Sequence, residues 1–315
     1  MKKILYIQPL HSSGMELLEK KYQVFTANNE DKRYLKSIIG DYHAVVTRLT
    51  KIDRDLIEAG ERLQVIAKHG VGTDNIDIKA AEKRGIKIVT TGDANSRSVA
   101  EHTIFALGAM SKRVVYLDRA MRQTRWETRD EEGSVDFSGK IVGVIGFGRI
   151  GSKVAEIAKY GFQAKVHIYD PIVKREEIEK KGFVYEDNLD ELCGKSDFLT
   201  VHVPLLESTK NLIDGQRLAL MKPTAYVANF ARGGIINEAD LYQALKAKKL
   251  AGAAIDAFEK EPPEKTLPLL HLDNVLLSPH CGTFSEDSKR RMSMAVAQGI
   301  DAVLNGEERE ERSRG

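Results

Sequence analysis

Three segments of this 315-residue chain end an apolar run on side chains suited to acid–base and ion-recognition chemistry. They are Tyr226-Val227-Ala228-Asn229-Phe230-Ala231-Arg232-Gly233-Gly234, Ala254-Ile255-Asp256-Ala257-Phe258-Glu259-Lys260-Glu261-Pro262-Pro263 and Leu276-Leu277-Ser278-Pro279-His280-Cys281-Gly282. An imidazole ordinarily titrates at about pH 6.5, so His280 is the natural proton donor or acceptor of the set. A carboxylate beside it, Glu261, would hold the ring and favour its protonated form. Arg232 offers a planar set of donors to a carbonyl and a carboxylate. The three types together suit hydride delivery to a ketone, which leaves negative charge on oxygen that must then be protonated. Taken singly, each has a plainer explanation: a surface ion pair for Arg232, a solvated loop charge for Glu261, a core histidine bonded to backbone for His280.

Upstream stands a second motif, Val142-Gly143-Val144-Ile145-Gly146-Phe147-Gly148-Arg149-Ile150-Gly151. Gly146, Gly148 and Gly151 give G-x-G-x-x-G between an apolar strand and an amphipathic helix over Ser152–Tyr160. The first glycine makes the turn, the second admits a pyrophosphate close to the backbone, and the third lets helix and strand pack tightly. Amides at the helix start then face the phosphates. The next strand ends at Asp170, 24 positions after Gly146 and close to the roughly 20 expected of a ribose-binding acid. A carboxylate there repels the extra phosphate of NADP, so NAD(H) is preferred; Arg175 keeps NADP as the lesser alternative. Alone, the glycine pattern is also compatible with a turn that binds nothing.

These groups need elements that bring them together. Short β-rich runs alternate with amphipathic stretches along the chain, the mark of βαβ units and parallel sheets. The first series of strands is expected at Lys3–Ile7, Tyr22–Thr26, Ala44–Thr47, Leu63–Ala67 and Ile86–Thr90. The second is expected at Ile141–Ile145, Lys165–Tyr169, Phe198–Val203, Ala225–Asn229, Gly252–Asp256 and Val275–Ser278, with a short one at Phe183–Tyr185. In an open parallel sheet the carboxyl ends of the strands line one crevice, so Arg232, Glu261 and His280 can converge there. Between the series the spacing predicts one long helix, Ser98 to Met121, with Ser98 and Glu101 as a capping box. A last helix is expected near Ser285–Asn305, and the charged tail Glu307–Gly315 is expected to fray.

Hydrophobic residues make up 42% and charged residues 30% of the chain, ordinary values for a soluble globular protein. Lys+Arg number 48 against Asp+Glu 46, which argues against a dominant nucleic-acid or anionic-membrane surface. Cys193 and Cys281 are the two cysteines; that points to a reduced setting rather than a disulfide framework. No apolar run approaches a membrane span or a secretory leader, so a cytoplasmic location is expected.

With these motifs in order, the sequence resembles the D-isomer-specific 2-hydroxyacid dehydrogenase family from about Leu5 to Leu304. The likeness also rests on His69-Gly70-Val71-Gly72-Thr73-Asp74-Asn75-Ile76-Asp77, on Asn95 with Ser98-Val99-Ala100-Glu101-His102, on Asp170-Pro171 and on His202-Val203-Pro204-Leu205. It implies an α/β protein of two doubly wound parallel-sheet domains: a Rossmann-type NAD-binding domain over residues 98–286, and a flavodoxin-like, discontinuous substrate domain over residues 1–97 and 287–315. It implies Arg232 as the substrate-binding arginine, Glu261 as the carboxylate paired with the histidine, His280 as the acid/base and Asp256 as a supporting aspartate at the cofactor side. Amides of Val71 and Gly72 would hold the substrate carboxylate. Gly146, Gly148, Arg149, Ile150, Gly151, Asp170, His202 and Pro204 would meet the cofactor. No metal is implied. A homodimer is implied, with the arm around Trp126 as interface anchor.

The implied activity is reduction of a small 2-oxo acid, such as glyoxylate or hydroxypyruvate, or oxidation of the 2-hydroxy acid. D-3-phosphoglycerate dehydrogenase is the alternative. Against it, Val46-Thr47-Arg48-Leu49-Thr50 shifts the expected strand-end arginine by one position, and His69 stands where a small residue is common. Arg48 and Lys68 nonetheless keep a cationic site open. An NAD-sensing binding protein on the same scaffold, like the family's corepressors, is a reading of a different class. A formate dehydrogenase fits poorly, since that hydride donor has no proton on oxygen needing a His–Glu pair.

Overall fold

In the computed structural model, which describes residues 1–131 and 133–307, the chain forms two compact units. One comprises Met1–Asn95 and the C-terminal segment from Thr283; the other is Ser96–Gly282. The tail expected to fray lies, from position 308 on, outside the described residues.

The first unit runs β1 (Lys3–Tyr6), α1 (Ser12–Glu19), β2 (Gln23–Thr26), α2 (Lys32–Ile38), β3 (Ala44–Thr47), α3 (Arg54–Ala59), β4 (Val65–Lys68), α4 (Ile78–Lys83) and β5 (Lys87–Val89). Its strands are parallel in the order β2-β1-β3-β4-β5, the flavodoxin-like winding. Successive strand side chains point to opposite faces. Leu5, Val45 and Ile66 therefore pack on one side with Leu35, Leu56 and Ala81. Ile4, Tyr6, Val46 and Ala67 pack on the other with Leu18 and Val296. A sheet covered on both faces needs continuous apolar runs, which is why these strands show no polar alternation. Val296 belongs to the last helix of the chain, Glu286–Leu304, which returns to this unit. There a Cβ on Gly14 would stand 2.4 Å from the Ser293 carbonyl oxygen, so the close crossing of the two helices requires glycine.

The second unit opens with α5 (Ser96–Ser111) and α6 (Val114–Arg122). A βα series follows: β6 (Ile141–Ile145), α7 (Arg149–Glu156), β7 (Lys165–Tyr169), α8 (Arg175–Lys180), β8 (Val184–Tyr185), α9 (Leu189–Lys195), β9 (Phe198–Val201), α10 (Gly215–Leu220), β10 (Tyr226–Asn229), α11 (Glu238–Lys246), β11 (Gly252–Ile255) and β12 (Val275–Leu277). The last helix, Glu286–Leu304, is α12. The seven strands are parallel in the order β12-β11-β10-β9-β6-β7-β8. The order reverses between β9 and β6, the switch point at which open α/β sheets bind ligands. One face is filled by Val142, Val144 and Phe198 with Ala100, Leu107 and Val154. The other is filled by Leu199, Val201 and Val227 with Leu192, Leu218 and Leu241.

The single helix expected from Ser98 to Met121 is two helices. Arg113 sits in the left-handed region at φ 53°, which ends the α-helical hydrogen-bond run, and its guanidinium stacks 4.2 Å from the Tyr116 ring centre. The apolar spacing continues across the break, so periodicity alone did not reveal it. The helix also begins two residues early, at Ser96, which puts Ser98 inside the first turn. Glu101 pairs with Arg97 at 2.6 Å in place of the expected capping box. The helix expected from Ser152 starts at Arg149, directly on the glycine turn, and passes into a π-helical turn at Ile157–Gly161.

Candidate active site

The glycine turn sits between β6 and α7, and its glycines have separate physical reasons. Gly146 has φ +92°, and a Cβ there would lie 2.7 Å from the His202 carbonyl oxygen. A Cβ on Gly151 would meet the Gly146 carbonyl oxygen at 1.9 Å. Gly148 differs: nothing lies within 4 Å of its added Cβ. Two glycines are thus demanded by the protein's own packing and the middle one opens onto free space, as a backbone that meets a phosphate must. Gly148 is the N-cap of α7 and has no side chain with which to cap it, so the helix opens directly on the glycine turn, as one that receives a phosphate does.

Asp170 follows β7 and is 7% exposed. Its Oδ2 accepts from the Phe147 amide at 2.7 Å, and its Oδ1 from the Ile172 and Val173 amides at 2.8 and 3.0 Å. Three of the roughly four acceptor positions of a carboxylate are therefore used by the turn itself, and one on Oδ2 is left for a ligand hydroxyl. His202, just past β9, is partly buried; its Nε2 lies 3.0 Å from Thr200 Oγ1, and its enclosed Nδ1 has no partner. Burial lowers its pKa to about 3, so the ring is neutral. Pro204 lies two residues on, in the loop after β9.

Past the ends of β11 and β12 two of the expected groups meet, and the third, Arg232 after β10, acts on them through its charge. His280 Nδ1 lies 2.8 Å from both Glu261 carboxylate oxygens. Burial pushes the Glu261 carboxyl up, but the His280 hydrogen bond, the Phe258 amide at 3.1 Å and the charges of His280 and Arg232 outweigh it, and its pKa lies below the ordinary value. The Arg232 charge thus acts on the same carboxylate. His280 has a left-handed backbone, φ 49°, unfavourable for a residue with a Cβ and found where surrounding structure enforces it. Here Asp256 enforces it. The Asp256 carbonyl accepts from the His280 amide at 2.8 Å. Its Oδ1 accepts from the Ser278 hydroxyl at 2.5 Å and the Cys281 amide at 2.9 Å, and its Oδ2 from the Gly282 amide at 3.0 Å. Asp256, assigned from sequence to the cofactor side, is 2% exposed and serves as the socket of the histidine turn.

Two positioning residues were not singled out from sequence. Asn229 Nδ2 donates to the Arg232 carbonyl at 2.8 Å, and its Oδ1 accepts from the Ala231 amide at 3.1 Å. This Asx-type turn was legible in principle from an Asn closing a strand. A Cβ on Gly233 would lie 2.0 Å from the carbonyl carbon and oxygen of Phe258. Only glycine lets the Arg232 loop lie against the backbone of the Glu261 loop, and sequence gave no sign of which backbone it would meet.

Val71 and Gly72 belong to the first unit, in the loop after β4, where Val71 is 38% exposed. The preceding His69 is buried with neither ring nitrogen hydrogen-bonded. Burial, then the Arg48 charge, lower its pKa to about 4. Lys68 is tied by its ammonium to Asn75 Oδ1 at 2.6 Å and to the Arg48 carbonyl, and the Arg48 guanidinium lies 4.4 Å from the Phe284 ring centre. No helix among the described residues is long and apolar enough to cross a membrane.

Residues 104–282 match the family model described as D-isomer specific 2-hydroxyacid dehydrogenase, NAD binding domain. The chain is 42% identical over 308 residues to a D-3-phosphoglycerate dehydrogenase of Methanocaldococcus jannaschii, covering 98% of this chain and 58% of that protein. It spans about three-fifths of the length of that relative. It is 35% identical over 312 residues to a glyoxylate reductase of Korarchaeum cryptofilum, covering 97% and 93% of the two chains. Among solved structures, D-lactate dehydrogenase from Aquifex aeolicus, complexed with NAD and lactic acid, superposes with TM-score 0.86 at 28% identity over 97% of this chain and 96% of that one.

Proposed function

The chain belongs to the D-isomer specific 2-hydroxyacid dehydrogenase family, and we propose that it is an NAD(H)-dependent oxidoreductase interconverting small 2-oxo and 2-hydroxy acids. The observation that carries this reading is the imidazole of His280, held at 2.8 Å by Glu261 at the strand ends of the same parallel sheet that carries the glycine turn.

The residues present fit the dinucleotide. The open space over Gly148 and the start of α7 on the glycine turn suit a pyrophosphate, and the remaining acceptor position on Asp170 suits a ribose hydroxyl. The Asp170 carboxylate repels a second phosphate at that ribose, which supports NAD over NADP. Once bound, the reduced nicotinamide supplies the hydride to C2. In the reductive direction Arg232 orients the acid and polarises its carbonyl. His280 gives a proton to the carbonyl oxygen, and Glu261 accepts the Nδ1 hydrogen bond of the ring and fixes its orientation. The Val71 and Gly72 amides are the proposed partners of the substrate carboxylate. We read the molecule as a cytoplasmic homodimer. Its free cysteines agree with a reducing compartment, and Val114, Met121 and Trp126 on α6 and the turn after it are 53%, 48% and 63% exposed, large apolar side chains of the kind that protein contacts cover.

A panel of 2-oxo acids, glyoxylate and hydroxypyruvate included, assayed with NADH and NADPH side by side tests the reading. NADH oxidation by at least one acid is expected, and His280→Ala lowers that turnover by orders of magnitude while the protein stays folded. Tight NADH binding with no turnover across the panel refutes the enzyme in favour of an NAD-sensing binder. A phosphorylated substrate, as in D-3-phosphoglycerate dehydrogenase, is a second reading. The Arg48 cation held against Phe284 supports it, and 3-phosphohydroxypyruvate, the 2-oxo acid of that couple, belongs in the panel for that reason.

A further inference from the structure

Three side chains with no part in the reaction above, or only a supporting one, converge behind the histidine turn. They are His102 on α5, Asp256 at the end of β11 and Cys281 immediately after His280. One ligand atom from each lies within 4.8 Å of the others. Asp256 is buried, while His102 and Cys281 are partly exposed, so the cluster has a built floor and a route for an ion. On Asp256, Oδ1 accepts from both Ser278 and Cys281, whereas Oδ2 accepts from the Gly282 amide. A carboxylate oxygen has two acceptor positions, so Oδ2 has one to give without dismantling the turn.

We propose that His102, Asp256 and Cys281 form a binding site for a thiophilic divalent cation of the Zn²⁺ type, with the fourth position left to water. One nitrogen, one sulfur and one oxygen ligand match the preferences of that ion; Mg²⁺ and Ca²⁺ seek oxygen throughout. Bond lengths of about 2.0 to 2.3 Å put tetrahedral ligand atoms roughly 3.5 Å apart, which small side-chain rotations of His102 and Cys281 reach. The ligand set also has a position in the chain. α5 opens the second unit at Ser96, and Cys281 stands next to Gly282, where that unit ends. A bound ion therefore ties the entering helix to the leaving turn and fixes the loop that carries His280. Drawing the Asp256 and Cys281 ligand atoms together from as far as 4.8 Å displaces the turn between them that carries His280, so the ion acts as an inhibitor and not as a cofactor. The inhibition rests on the proposed enzymatic reading; the binding does not.

Calorimetric titration of the full chain with ZnCl₂ in a non-chelating buffer tests the site directly, alongside absorption spectra with CoCl₂. One equivalent of Zn²⁺ is expected, with affinity falling at least tenfold in Cys281→Ser and in His102→Asn. A thiolate-to-cobalt charge-transfer band is expected in the parent and absent from Cys281→Ser. Zn²⁺ lowers NADH turnover of the parent, EDTA restores it, and Cys281→Ser, active without metal, resists the inhibition. Equal Zn²⁺ affinity in the parent and Cys281→Ser, or a cobalt spectrum without the thiolate band, overturns the site. A 2-oxo acid panel without turnover leaves the calorimetric and spectral outcomes decisive. Unaltered NADH binding and melting temperature in Cys281→Ser show that the variant is folded, and that variant alone suffices if His102→Asn does not fold.

Discussion

Gly233→Ala isolates the geometry on which the proposed chemistry depends, because it adds one methyl group and no charge. Gly233 follows the arginine directly, and its added Cβ would sit 2.0 Å from the Phe258 carbonyl carbon and oxygen and 2.4 Å from the Glu259 amide nitrogen. All three are backbone atoms, so no side-chain rotation relieves the clash. Restoring an ordinary contact of 3.4 Å parts the β10 and β11 loops by more than 1 Å. Arg232 rides on one loop and Glu261 on the other, and a misplacement of about 1 Å costs on the order of 10²-fold in rate. The expected result is a kcat about 100-fold below the parent with NADH affinity unchanged within about threefold, since the glycine turn at β6 and α7 is untouched. Overpacking of this kind costs about 1–3 kcal/mol, a fall in melting temperature of a few degrees for a chain of this size. Stopped-flow turnover, NADH fluorescence titration and a thermal melt read the three quantities. A kcat within threefold of the parent in a folded Gly233→Ala protein refutes the view that the juxtaposition of the two loops sets the rate.

Gly148→Val and Gly146→Ala separate ligand demand from packing demand. The first adds its Cβ into open space and costs only the roughly 1 kcal/mol of a poorer N-cap residue while weakening NADH binding at least tenfold; the second, at φ +92° and 2.7 Å from a carbonyl oxygen, lowers the melting temperature by more, and equal stability of the two variants contradicts the assignment. Glu261→Gln removes a charge-assisted hydrogen bond worth about 1.5–3 kcal/mol. The His280 and Glu261 side chains are 41% and 39% exposed, so screening favours the lower end; kcat drops about 10- to 100-fold and the melting temperature barely moves. His69 is depressed from 6.5 to about 4 by burial, so the unfolded chain binds the extra proton first as the medium is acidified. Its contribution to stability is whole above about pH 6.5 and is lost as pH falls toward 4, by at most about 3 kcal/mol. Urea denaturation at pH 7 and pH 4.5 shows this loss in the parent and a shallower one in His69→Asn.

How far the sequence could be read depended on whether a feature is local. Strands such as Ile141–Ile145 and Lys165–Tyr169 are continuous apolar runs bounded by turn residues, and they occupy those residues in the structure. The glycine turn was legible because its spacing is itself the geometry. The break at Arg113 was not, since the apolar spacing on its two sides stays in phase and the αL residue carries no glycine to announce it. The convergence of Glu261 and His280 followed from one rule, that parallel strands present their carboxyl ends together. What escaped was every feature decided by a partner distant in sequence: the backbone that Gly233 approaches, the four contacts that make Asp256 a socket, the loss of hydrogen bonds around His69. In each the residue type admits several roles, and the fold chooses among them.

Asp256 shows how that choice bears on mechanism. A carboxylate near an acid–base histidine invites a role in proton transfer, yet here its oxygens accept from Ser278, Cys281 and Gly282 and not from the ring, while Glu261 holds Nδ1. The two acids divide the work between them: one sets where the imidazole is, the other sets its hydrogen bond. Asp256 acts through a left-handed backbone at His280 that would relax without its anchors. Loss of the buried carboxylate therefore leaves backbone donors unsatisfied and frees the turn, and it damages stability and turnover together. Loss of Glu261 damages turnover alone. That asymmetry, not the proximity of either acid to the ring, distinguishes a positioning residue from a partner in the chemistry.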